Sequence, residues 1–310
     1  MNDLIEILIT DKIKKIDLDK VYNCLTVSKS SEFYSELFSE TFQGKEMPEL
    51  YAQNKLVYRM KGEAYSTMNE IVSYLKKQLN NTSVVIEIGG GVYQQRSGNA
   101  HEHFKYYYPL DISYSSIKRY AEKFDKAGIV ADAKELPFKT NSIDCIFTHT
   151  FLEHPLEPEK VLEEITRVLK PGGIVIHNDA WFCRWWQRYG IVGLKKFSNM
   201  TFFEKMIWIC AKFTEIPIIR ISPIIINRIF NEILPRKKKQ IELRYKKLTP
   251  NYKLHLGCDE DAASRIDPVD VMRFYESRDF YLINPLTLKQ RILYPNKYIM
   301  LKKKAVHNSM

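Results

Sequence analysis

Between Val84 and His177, short β-branched runs alternate with amphipathic helical stretches, and this rhythm constrains the fold more than any other feature of the chain. Val84-Val85-Ile86-Glu87-Ile88 reads as a strand buried on both faces, as in a parallel sheet. Before it, Leu56–Leu79 carries apolar residues at helical spacing, and Asn80-Asn81-Thr82 breaks that helix. Further strands are expected at Tyr106–Leu110, Gly128–Ala131, Cys145–Thr148 and Ile174–His177. Helices are expected over Tyr114–Ala127, capped by Ser113 or Ser115, and over Pro158–Leu169, with proline in its first turn and Pro171-Gly172-Gly173 to stop it. From Trp181 to about Arg265 the alternation fails. It resumes at Asp267-Pro268, which opens a helix to about Arg278, followed by closing strands at Phe280–Ile283 and Lys297–Leu301.

Five of the 12 glycines lie at two strand-adjacent points, Gly89–Gly91 and Gly172–Gly173. Glycine at a strand-to-helix turn lets backbone approach a ligand closely. An acid about 20 positions on can take hydrogen bonds from ribose hydroxyls, and Asp111 stands 20 positions after Gly91, at the end of the second expected strand. A dinucleotide fingerprint needs a further glycine at position 94, which here is Gln94.

Glu87-x-Gly89-x-Gly91 instead resembles the first motif of class I S-adenosylmethionine (SAM) dependent methyltransferases. The resemblance continues in Asp132-Ala133-Lys134-Glu135-Leu136-Pro137-Phe138, in Ser142-Ile143-Asp144, in Leu152-Glu153-His154, and in the tract Val161 to Gly173. It covers residues 80–180 well and 266–304 loosely, and is nearest to the branch acting on small molecules, quinones and sugars. It implies a Rossmann-like, seven-stranded, mostly parallel α/β sheet with helices on both faces. To this are added a helical N-terminal extension (1–80) and an inserted helical lid (181–266). The SAM-binding core would be 81–180, closed by a helix and strands at 267–304.

The resemblance also implies roles. Glu87, Gly89, Gly90 and Gly91 would cradle the amino acid end of SAM. Asp111 would hold the ribose, Asp132 and Ala133 the adenine edge, and Thr148 would lie beside the sulfonium. An oxygen acceptor needs its proton removed near neutral pH. His149, His154, His177 and Asp179 are the candidate bases at strand ends, with His149 first because it follows strand four directly. The chain departs from the family in having Tyr93 where a third glycine often stands, and a long link over Val92–His103. His101-Glu102-His103 has no third ligand at sensible spacing and reads as loop, so no metal is expected.

Residues 1–180 hold 22 Lys and Arg against 26 Asp and Glu, whereas 181–310 hold 25 against 11, a net of +14. All four tryptophans (Trp181, Trp185, Trp186, Trp208) and an isoleucine-rich stretch from Ile216 to Phe230 fall in the insertion, ahead of Arg236-Lys237-Lys238-Lys239. The insertion is therefore expected to form a lid over the acceptor, with peripheral contact to an anionic membrane surface as the second reading. His255-Leu256-Gly257-Cys258-Asp259-Glu260-Asp261 resembles a tract of methyltransferases in bacterial surface-glycan pathways. Five scattered cysteines and no signal or spanning segment predict a cytoplasmic protein, at most peripheral at the inner face of the membrane.

The expected function is methyl transfer from SAM to an oxygen, or a nitrogen, of a small-molecule or glycan-like acceptor. The rivals are a nucleic-acid methyltransferase using the basic half, for which no Asn-Pro-Pro-Tyr type motif is present, and a non-catalytic binding protein that kept the fold. The oligomeric state is not legible.

Overall fold

The computed structural model describes residues 2–17, 20–25, 32, 34–35, 55–91, 98–189, 196–214, 216–233, 240–251, 260–294 and 298–305. Strands are β1 (Lys15–Asp17), β2 (Val21–Asn23), β3 (Val84–Ile88), β4 (Tyr106–Asp111), β5 (Gly128–Val130), β6 (Ile143–His149), β7 (Leu169–Asn178), β8 (Tyr245–Lys247), β9 (Ser264–Ile266), β10 (Phe280–Leu282) and β11 (Ile299–Lys303). Helices are α1 (Asn2–Ile7), α2 (Lys55–Gln78), α3 (Ala100–His103), α4 (Tyr114–Phe124), α5 (Pro158–Val168), α6 (Phe202–Thr214), α7 (Pro217–Ile233), α8 (Pro268–Glu276) and α9 (Leu288–Ile292).

The main sheet has the order β1-β2-β5-β4-β3-β6-β7-β11-β10. From β2 to β7 every pairing is parallel; β11 runs antiparallel to both β7 and β10. The strand order reverses on either side of β3, so the carboxyl ends of β3 and its neighbours border a crevice at the switch point, where open α/β sheets take ligands. One face is covered by α2 and part of α4, through Met68, Ile71, Leu75 and Tyr120. The other is covered by α5 and α8, through Val161, Ile165, Met272 and Phe274.

The sheet differs from the seven-stranded expectation by two strands. The N-terminal segment, expected to be helical, contributes α1 and the β1–β2 hairpin, and β2 pairs with β5 at the sheet edge. Val21 and Tyr22 are buried there, and β1 becomes the new, three-residue edge, a short edge of the kind that resists further pairing. Strand β7 starts earlier than expected. Ile143 pairs with Leu169 and Cys145 with Ile174, so Lys170-Pro171-Gly172-Gly173 form a bulge within the ladder and not a loop ahead of it. Lys170 clamps this bulge by pairing with Asp144 at 2.8 and 2.9 Å, and Asp144 also accepts from the Val84 amide. The insertion contains α6, α7 and, beyond the helical expectation, an antiparallel β8–β9 ribbon. The expected long hairpin between the closing strands contains α9, opened by a Thr287/Gln290 capping box.

Candidate active site

Strand β3 delivers Glu87 and the three glycines to the crevice. Gly89 has φ +77°, the left-handed region that a side chain resists, and a Cβ there would stand 2.8 Å from the Phe151 ring. A Cβ on Gly90 would stand 2.6 Å from Glu87 Oε2, and one on Gly91 would overlap Ser116 Oγ. The turn therefore has room for backbone only, between the start of α4 and the loop after β6. Glu87 is buried and accepts from the Tyr107 hydroxyl on β4.

Asp111 ends β4. Its Oδ1 accepts from the Ser113 amide at 2.8 Å, while Ser113 caps α4 by accepting from Ser116 N. Burial pushes the Asp111 carboxyl up to about 7; the Ser113 amide acts against that shift, the charge of Glu87 adds to it, and His154 opposes it. Asp132 caps the short turn Ala133–Glu135, accepting from Lys134 N at 2.9 Å, and its other oxygen lies 3.6 Å from Lys134 Nζ. Ala133 is buried beneath it.

The residues at the ends of β6 and β7 divide sharply. Thr148 is fully buried; its hydroxyl donates to Asp179 Oδ2 at 2.7 Å and lies 2.9 Å from His177 Nδ1. His177 in turn meets the Tyr275 hydroxyl at 3.1 Å, below its stacked ring. Asp179 Oδ1 accepts from the amides of Phe151 and Leu152 and so shapes the loop that packs on Gly89. Burial would raise the Asp179 carboxyl, but His177, Thr148 and the Phe151 amide outweigh it and hold the group below its usual range. Thr148, His177 and Asp179 thus form an internal network with hydroxyl and carboxylate turned inward. His149, by contrast, is half-exposed, with Nδ1 3.0 Å from the Asn178 amide nitrogen. Asn178 lines a cavity of about 560 Å³ bounded also by Glu70, Asn284, Tyr294 and Tyr298, a volume suited to a small molecule.

His154 Nδ1 lies 3.1 Å from Asp261 Oδ2, which also accepts from the Tyr34 hydroxyl at 2.6 Å. Burial works to raise Asp261, yet His154 and Tyr34 hold it well below the carboxylate range. Tyr34 O accepts from Ser113 Oγ at 3.0 Å, and Ser35 Oγ accepts from Tyr114 N. An N-terminal segment and an insertion residue thus meet beside the Asp111 turn. Sequence reading passed over Tyr34, Tyr107 and Asn178. Asn178 could have been found from the parallel register, which sets it level with His149.

His101 is buried against the Phe124 ring at 4.3 Å, and burial lowers its pKa. Among the described residues no three His, Cys, Asp or Glu side chains come together as a metal site. The link residues Tyr93 to Arg96, the basic run Arg236–Lys239 and His255–Asp259 lie outside the described residues.

A family model described as "Methyltransferase domain" matches residues 86–177. The chain is 40% identical over 70 residues to the ubiquinone/menaquinone biosynthesis C-methyltransferase UbiE of Escherichia fergusonii, covering 20% of this chain and 28% of that one. It is 32% identical over 106 residues to a malonyl-[acyl-carrier protein] O-methyltransferase of a Marinomonas species, covering 32% and 39%. The matches thus span well under half of either relative's length. Among solved structures, a Haloferax volcanii chain in complex with the Trm112 methyltransferase activator has TM-score 0.42 and 13% identity, over 81% of this chain and 95% of that one. Strand order, glycine turn and family match converge on one statement: residues 86–177 are a class I, SAM-dependent methyltransferase domain.

Proposed function

We propose that the chain transfers a methyl group from SAM to an oxygen, or a nitrogen, of a small-molecule or glycan-like acceptor. One observation carries this reading: the glycine cradle and Asp111 share the strand-end crevice with His149, whose partner Asn178 lines the neighbouring cavity. The residues suit the cofactor on two counts. The turn at Gly89–Gly91 is bare backbone, packed too closely on Phe151, Glu87 and Ser116 for any Cβ, and the Asp111 carboxyl, raised by burial, gains by accepting from a diol. Glu87 and Gly89–Gly91 would hold the amino acid end, Asp111 the ribose hydroxyls, and Asp132 and Ala133 the adenine edge. Thr148 would contribute by fixing the floor beneath His149, since its hydroxyl is committed to Asp179. Bound SAM supplies a methyl group made electrophilic by its sulfonium.

In this reading the protein supplies alignment and a place for the acceptor's proton. A neutral imidazole has one donor and one acceptor nitrogen. The structure has Nδ2 of Asn178 on Nδ1 of His149, which puts the imidazole proton on Nε2; a half-turn of the carboxamide would let Oδ1 accept from Nδ1–H and leave Nε2 to take the acceptor's proton. Tyr294, Tyr298, Asn284 and Glu70 offer ring faces and polar groups together, the mixture that a sugar-like acceptor uses. Residues 81–180 with 267–304 would be the catalytic body, 181–266 the acceptor-side lid and 1–80 an N-terminal extension that adds a hairpin to the sheet edge and a helix to its face.

Calorimetric titration with SAM, beside Asp111→Ala, tests the cofactor assignment: binding that the variant loses supports it, and no binding by the wild type overturns it. Transfer of labelled methyl to a panel of sugars, phenols and lipid-linked glycans then tests the acceptor class.

A further inference from the structure

Helix α7 is built inside out. Its inward positions are polar: Arg228 and Asn231 are only 3% and 6% exposed, and Glu232 lies 3.6 Å from Arg273 and 3.2 Å from Arg291. Its outward positions include Ile218, Ile226 and Phe230, at steps of eight and four residues along one face, 75%, 53% and 60% exposed. The preceding helix α6 buries Ile207 and Ala211 on Trp186 and Met200, yet also turns Phe202, Met206, Ile209 and Phe213 outward at spacings of four, three and four. Each helix thus leaves an apolar stripe uncovered by the rest of the described chain. The two helices are in contact, and exposed apolar side chains in such number mark an interaction surface.

Charge selects the occupant. Residues 181–239 contain twelve Lys and Arg and three acids; with Arg228 and Glu232 turned inward, eleven bases face two acids. Lys205 and Lys212 stand beside the patch, each 5.6 Å from an aromatic ring, Phe197 and Trp208 respectively. A second copy would bring the same positive surface against itself. Anionic headgroups would neutralise it while acyl chains receive the phenylalanines and isoleucines. No described helix is long and apolar enough to cross a membrane, so contact through this patch is in the plane of the interface. We propose that the α6–α7 hairpin docks this protein on an anionic lipid surface, its apolar stripes entering the acyl boundary and its lysines reaching the phosphates.

The test is co-sedimentation of the full chain with phosphatidylcholine vesicles made with and without phosphatidylglycerol, beside a Phe213→Asp/Phe230→Asp double variant. Both positions face solvent, so the variant should keep its circular dichroism, melting temperature and SAM binding. The expected result is wild-type binding to the anionic vesicles and at least a tenfold loss in the variant. Wild-type protein that stays in the supernatant overturns the proposal. So does a variant that binds as tightly as wild type, which would leave the lysines acting alone. A wild-type dimer by light scattering that the variant turns into monomer, with no vesicle affinity, overturns it in favour of a second copy. SAM binding is read separately, so failure here is distinct from failure of the methyl-transfer reading.

Discussion

The sharpest consequence of the site concerns the pH dependence of ribose binding. Asp111 titrates at about 7 in the free protein because burial opposes its ionisation. A ribose diol donates both protons to a carboxylate, so binding selects the ionised form. The apparent Kd then scales with one plus the ratio of protonated to ionised Asp111. That factor is about 11 at pH 6 and about 1.1 at pH 8, a tenfold weakening, or about 1.4 kcal/mol. SAM carries an α-amino group of its own that titrates near 7.7–8.0 by the usual value, roughly in the same window. The clean probe is therefore 5′-methylthioadenosine, which keeps ribose and adenine and lacks the amino acid. Calorimetry from mildly acid to mildly alkaline pH should give a log Kd that is flat above neutrality and rises by nearly one per pH unit below it. Asp111→Asn should abolish the slope and weaken binding at the alkaline end. The linkage has a second sign: with its folded pKa raised, Asp111 costs the ligand-free fold stability as pH rises from about 4 to 7. A flat profile in a wild type that binds well would refute the ribose assignment.

Three further outcomes follow from particular contacts. Gly91→Ala should weaken SAM binding sharply because its Cβ overlaps Ser116 Oγ, and Ser116→Gly in the same chain should restore part of it by calorimetry. His149→Ala should lower methyl transfer by about 10²–10⁴-fold, the usual worth of a positioned base, while leaving SAM affinity within twofold. Arg228→Met should destabilise the protein by about 3–5 kcal/mol in denaturant titration, because it strands Asp267, which now takes two hydrogen bonds of 2.9 Å from that guanidinium in a buried position.

The methyltransferase core was legible because local and tertiary signals agree there. The run Val84–Ile88 is apolar but for Glu87 and lies between parallel neighbours on both edges, and Ser113 and Asp267 cap their helices as their residue types predict. The position of Asp111 at the end of β4 was legible from the run of apolar residues before it. What escaped was whatever depends on register or on distant partners. Thr148 and His149 are adjacent, but alternation in the strand sends one into the Asp179–His177–Tyr275 network and leaves the other half-exposed, and no single-strand pattern tells which. Strands β1 and β2 are three residues each, too short for a periodic signal, and exist because β5 offers them an edge. The tract from Ile216 to Phe230 is apolar enough to suggest a buried helix; only the placement of Arg228 and Asn231 inward shows that its apolar side faces out.

Arg228 also joins the two halves of the functional reading. Its Nε and Nη2 hold Asp267, the cap of α8, while its Nη1 donates to the carbonyls of Ile292 and Tyr294 at 3.2 and 2.8 Å. Tyr294 lines the cavity beside Asn178, and its hydroxyl donates to Tyr298 O, on another residue of the same lining. One guanidinium on α7 is therefore bonded to the wall of the cavity proposed for the acceptor. A planar fork with every partner fixed in a buried site transmits displacement, because moving it breaks charge-assisted hydrogen bonds that water cannot replace there. Displacement of α7 at a surface would reach the Tyr294 backbone through Arg228 and through the Glu232–Arg291 pair on α9. If α7 docks on a lipid surface and the cavity takes the acceptor, as proposed, the Arg228 contact is one through which docking would act on acceptor capture.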